Sequence, residues 1–92
     1  MTMNALQLVF KNRGMEPTRI AHRNNGTTTL TWHVDDNDNR FVLVSDSPRS
    51  QDFLLLCRNE KAVEAIVLDD VDEIVRWVTR SLRKLGATKV SG

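Results

Sequence analysis

The chain has 92 residues, 40% of them apolar and 27% charged, with five aromatic residues, no Tyr and one Cys. That is the make-up of one ordinary globular domain, which excludes a disordered or fibrous chain, and the lone Cys57 excludes an internal disulfide framework. The net charge of +1 hides a segregation that bears on partners more than the total does: residues 1–34 carry +3, residues 35–73 carry −7 and residues 74–92 carry +5.

Met1 to Phe10 has no basic start ahead of its apolar residues and no small-residue cleavage site, so it does not read as a signal peptide. No apolar run approaches the roughly 18 residues that a membrane span needs. A cytoplasmic protein of bacterial or phage type, or one carried on a mobile element, is the simplest expectation, with no membrane among its partners.

Met3, Leu6, Val9 and Phe10 then stand at helical spacing. Thr2 is placed to cap the helix N-terminus, and Gly14 with Met15 after it fits a left-handed terminal residue and its apolar contact. The pattern predicts a short helix with Leu8 off its stripe. Pro17 opens an extended stretch, and Asn24-Asn25-Gly26 is the strongest turn signal in the chain. A two-residue loop would set Ile20 opposite Thr31, away from Leu30 and Trp32. A three-residue loop with Gly26 left-handed pairs Ile20 with Leu30 and Thr18 with Trp32, which gathers the apolar residues on one side. The inner side is then Thr18, Ile20, His22, Thr28, Leu30, Trp32 and Val34. The outer side is Arg19, Ala21, Arg23, Thr27, Thr29, Thr31 and His33.

Three later runs are apolar without alternation: Phe41 to Val44, Phe53 to Cys57, and Ala65 to Leu68. Such runs suggest strands covered on both faces. Polar turns at Asp35–Asn39, Ser45–Gln51 and Asn59–Lys61 separate them, and strands joined so closely must be antiparallel. Residues 60–68 also suit a helix, Glu60 to Ala65 being good helix formers, so the last strand is an open choice. Asp70 with Glu73 forms an acidic capping box, and Val71, Ile74, Val75, Val78, Leu82 and Leu85 trace one stripe that Gly86 ends. Residues 1–86 are thus expected to form one α+β domain: a short N-terminal helix, a four- to five-stranded antiparallel meander, and a C-terminal amphipathic helix packed on one sheet face. Residues 87–92 are expected to be a loose tail. A helix at each end of the sequence allows the two to cover opposite faces.

Four groupings invite chemistry. Asp35, Asn37 and Asn39 fall at positions one, three and five of a calcium loop, but Arg40 stands where Gly is needed, Asp46 closes it in place of Glu, and the run from Phe41 is strand-like instead of helical. Asx residues are good turn formers, which explains them better. Asp69, Asp70, Asp72 and Glu73 could hold Mg²⁺, yet no phosphate loop accompanies them and helix capping accounts for Asp70 and Glu73. His22, His33 and Cys57 share no metal-ligand spacing, and Cys57 ends an apolar run, where a free Cys is usually a small buried hydrophobe. No catalytic, cofactor or metal residue is therefore assigned, and the chain is not expected to be an enzyme.

The fourth grouping is basic. Arg76, Arg80 and Arg83 lie opposite the stripe of the last helix, while Arg19 and Arg23 stand on the outer side of the first hairpin with His33. Together they could track a phosphate backbone, although solvation of a helix face and an Asp72–Arg76 pair explain the first set. Trp77, about 120° from the centre of the stripe, caps the sheet edge or anchors a partner. The expected function is a small protein–protein interaction module (regulator, inhibitor or adaptor) that dimerises through its sheet. Its contact residues would come from Arg19, Arg23, His33, Arg76, Trp77, Arg80 and Arg83, with nucleic-acid binding through the basic residues as the alternative. The interface is expected on the sheet face away from the last helix, or along an apolar edge strand, and Leu55 in the middle run is the position where a charge would test it.

Overall fold

A computed structural model describes residues 3–35, 39–47 and 50–86. The elements run α1 (Met3–Asn12), β1 (Arg19–His22), β2 (Thr28–His33), β3 (Phe41–Ser47), β4 (Ser50–Asn59), β5 (Ala62–Leu68) and α2 (Val71–Lys84). The fold is α+β, one antiparallel meander in the order β1-β2-β3-β4-β5 with a helix at each end of the sequence. The expected Thr2 cap, most of the Asp35–Asn39 loop and the 87–92 tail lie outside the described residues.

α1 ends as its sequence predicts. Gly14 adopts φ 69°, so its amide reaches the Lys11 carbonyl at 3.1 Å and the Met15 amide reaches the Phe10 carbonyl at 2.8 Å. These are the two bonds of a Schellman stop, and Met15 is buried, as that motif favours for its apolar contact. The first hairpin takes the three-residue loop. Ile20 pairs with Leu30 and His22 with Thr28, the Arg23 amide donates to the Thr27 carbonyl at 2.8 Å, and Gly26 sits at φ 89°. Thr18 precedes β1, and its hydroxyl accepts from the His33 amide at 3.2 Å.

The register carries one side of the sheet across all five strands. Ile20, Leu30, Val44, Leu55 and Ile66 are successive neighbours, and so are Trp32, Val42, Cys57 and Glu64. Leu30, Trp32, Val42, Val44, Phe53, Leu55 and Cys57 on this side are buried. Both helices lie there. The Phe10 ring meets Trp32 edge-on at 4.9 Å, while α2 packs over β3 and β4 with Ile74, Val75, Val78 and Leu82 in the same core. Thr79 ties α2 to the stop of α1 through the Met15 sulfur at 3.4 Å.

The C-terminal helix packs on one sheet face as expected, and α1 joins it there, so the possibility of helices on opposite faces is not realised. The chain is a two-layer sandwich of helices on one side of a sheet, and no described element packs on the other side. α1 and α2 each have one apolar stripe, and both stripes pack into a single core with Leu30, Val42, Val44 and Leu55.

α2 begins as expected, with Asp70 Oδ1 accepting from the amides of Asp72 (2.8 Å) and Glu73 (3.3 Å). Its last turn closes with the Gly86 amide on the Arg83 carbonyl at 3.0 Å and Gly86 at φ 94°.

Candidate functional site

The uncovered side of the sheet is built by the residues between the core positions. Reading across the register, one row runs Arg19, Thr31, Leu43, Leu56, Ala65, and the next runs Ala21, Thr29, Ser45, Leu54, Val67. A third holds His33, Phe41, Arg58 and Val63. The side is graded: cationic and hydroxylic over β1 and β2, mostly apolar over β3 to β5, where Ser45 and Arg58 interrupt the Leu and Val residues. Leu54 is 47% exposed, Val67 58% and Val63 63%, with Leu43 and Leu56 half-buried between them. Water contact over so many adjacent Leu and Val side chains is unusual for a lone soluble domain, whose apolar patches are small.

The non-alternating runs have their explanation here. Their odd and even residues face two different environments, the helices and the open side, and both are apolar. Leu55 belongs to the first and is fully buried, so it is a core position; Leu54 and Leu56 are its counterparts on the open side. The sequence pointed to the runs without singling out Leu43, Leu54, Leu56, Val63 and Val67 as contact residues. The signal lay in the first hairpin, whose register fixes which side Leu30 and Trp32 face, but the turns after it do not reveal by inspection whether parity is kept.

The basic residues separate into two sets on opposite layers. Arg19, Arg23 and His33 line a shallow groove on the open side with Thr31 and Phe41. The His33 ring lies 6.3 Å from that of Phe41. Arg76, Arg80 and Arg83 line another groove with Arg13 on the outer surface of the helix layer. The two sets cannot meet one straight phosphate backbone together. Trp77 belongs to neither. It is buried against the core, and it lines a groove between α2 and β5 with Ile66 and Leu68.

The candidate chemical groups are placed as structural ones. Asp35 pairs with Arg40 at 3.3 Å, and Asp46 accepts from the Thr28 amide at 2.6 Å, tying β2 to β3. Thr29, buried although on the open side, shares a 2.6 Å hydroxyl bond with Ser45. His22 Nδ1 meets the Thr28 hydroxyl at 3.1 Å. Burial pushes the Cys57 thiol up from its ordinary pKa, and the Glu64 carboxylate adds to this; Ser81 and Lys84 act the other way without prevailing. A raised thiol is a poor nucleophile at neutral pH. Among the described residues no three metal-ligating side chains gather, and no helix is long and apolar enough to cross a membrane. No protein-family model, curated protein or solved structure matches the chain.

Proposed function

We propose that the chain is a small non-enzymatic protein–protein interaction module, a regulator, inhibitor or adaptor, that works through the open side of its sheet. One observation carries this reading: an apolar patch of Leu43, Leu54, Leu56, Ala65, Val63 and Val67, spread over three neighbouring rows and left uncovered by the chain's own helices. Exposed apolar surface of this continuity is costly in water and is released when another apolar surface meets it. The polar and cationic end over β1 and β2 forms a rim, as interfaces have around an apolar centre. Arg19, Arg23 and His33 fall within that rim and keep their proposed contact role.

The test places a photo-crosslinking residue at Leu54, and separately at Arg83 on the outer surface of α2, in the native cells. The reading expects a discrete protein adduct from position 54 and none from position 83. It also expects Val67→Lys to abolish the adduct while the purified variant keeps wild-type stability within about 1 kcal/mol, as surface substitutions do. Adducts from position 83 alone would overturn it.

A second reading, nucleic-acid contact, is favoured by the groove that Arg13, Arg76, Arg80 and Arg83 share. It expects binding to DNA or RNA that falls steeply with salt and is lost when Arg76, Arg80 and Arg83 are all replaced by Ala. The apolar side of the sheet would then be idle, which is why the first reading is preferred.

A further inference from the structure

The sheet has two edges, and only one is defended. β1 is four residues long and carries Arg19 and His22. β5 is seven residues long, contains neither Pro nor Gly, and has Glu64 as its sole charged residue. Edge strands in soluble proteins are normally kept short, charged or covered, because their free N–H and C=O groups template another strand. α2 packs over β3 and β4 and leaves β5 outside its cover, so β5 is exposed on both sides from Ala62 to Val67.

A second observation lies beside this edge. The groove between β5 and α2 is lined by Ile66, Leu68, Glu73, Arg76, Trp77 and Arg80. Trp77 is only 3% exposed, and its indole Nε1 has no hydrogen-bond partner among the described residues, whereas the Nε1 of Trp32 donates to the Met15 carbonyl at 2.9 Å. The groove's two guanidinium groups, Arg76 and Arg80, outnumber its one carboxylate, Glu73, and favour an acidic occupant.

We propose that β5 pairs antiparallel with β5 of a second copy of the chain, joining two five-stranded sheets into one and filling both grooves. The occupant is argued from the groove itself. It suits an extended segment with apolar side chains at alternate positions and one acid, and the helix-side row of β5 is Ala62, Glu64, Ile66, Leu68. A two-fold register centred on Ala65 sets Glu64 of the partner subunit opposite Ile66, beside Arg76 and Arg80. Within one chain Glu64 is held only by Lys84, at 3.6 Å and with both side chains more than half exposed, a pair weak enough to be shared. A two-fold interface uses the same strand twice and closes without leaving a new edge at β5. The inference extends the proposed association by naming one partner, and it leaves the open side of both copies free, side by side.

The test is solution mass by light scattering across a dilution series for wild type, Ile66→Lys and Leu54→Lys, each checked for folding by denaturation. The pairing expects wild type at twice the 10.5 kDa chain mass, Ile66→Lys at half the wild-type mass, and Leu54→Lys unchanged. Should Ile66→Lys fail to fold, Glu64→Lys on the same exposed row gives the same halving. A wild type that stays monomeric at all concentrations overturns the pairing. So does a dimer that survives Ile66→Lys and Glu64→Lys but dissociates with Leu54→Lys, which would move the contact to the open side and leave the function proposed above intact.

Discussion

The two tryptophans carry the same side chain in two different states of satisfaction. Trp32 donates to the Met15 carbonyl and stacks edge-on with Phe10; Trp77 is equally buried and donates to no described residue. Replacing each with Phe removes the same indole N–H and a similar volume. At Trp32 the change also orphans a carbonyl, while at Trp77 it relieves an orphan donor. Urea denaturation is therefore expected to show Trp32→Phe more destabilising than Trp77→Phe by about 1–3 kcal/mol; equal losses would contradict the assignment. Cys57 makes a second case. Because burial raises its pKa in the folded chain, the native state holds the thiol proton more tightly than the unfolded one. Stability is thus undiminished below the unfolded value of about 8.5 and falls as pH rises from there toward the higher native value. Chemical denaturation at a series of alkaline pH values is expected to show this decline in wild type, and Cys57→Ala, from its own lower baseline, is expected to lack that component.

Elements were legible in the sequence wherever a local device defines them. Gly14 with Met15 ended α1, Asn24-Asn25-Gly26 set the loop of the first hairpin, and Asp70 opened α2; each acts within a few residues of its own backbone. Asp70→Ala is accordingly expected to cost about 1 kcal/mol and to fray the first turn of α2, readable as faster amide exchange at Asp72 and Glu73. What was not legible is which layer each run faces. Leu54, Leu55 and Leu56 are chemically identical, and only pairing with Val44, itself opposite Leu30, assigns Leu55 to the core. The strand nature of residues 62–68 was open for a related reason, since pairing with β4 outweighs the local helix preference of Glu60 to Ala65. A contrast of Leu55→Lys with Leu54→Lys tests the assignment. The first buries an unpaired charge and is expected to cost more than about 4 kcal/mol or to unfold the chain, while the second is expected to stay near neutral.

At the scale of the whole molecule, the sequence posed a question of coverage. Ninety-two residues offer little material with which to cover a sheet twice, and the fold spends both helices on one side. The second apolar surface is consequently outside the chain's own reach, and the undefended β5 edge adjoins it. The charge segregation fits this arrangement, with Arg76, Arg80 and Arg83 directed to the helix layer's outer surface and Arg19 and Arg23 to the rim of the open side. The most direct measurement is side-chain oxidation footprinting of the dilute purified chain against the same chain in its native assembly. The account predicts that Leu54, Leu56, Val63 and Val67 are oxidised in the dilute chain and protected in the assembly, with Leu8 on the exposed surface of α1 oxidised in both and Leu30 and Leu55 protected in both. Equal oxidation of the four open-side residues in the two states would contradict it.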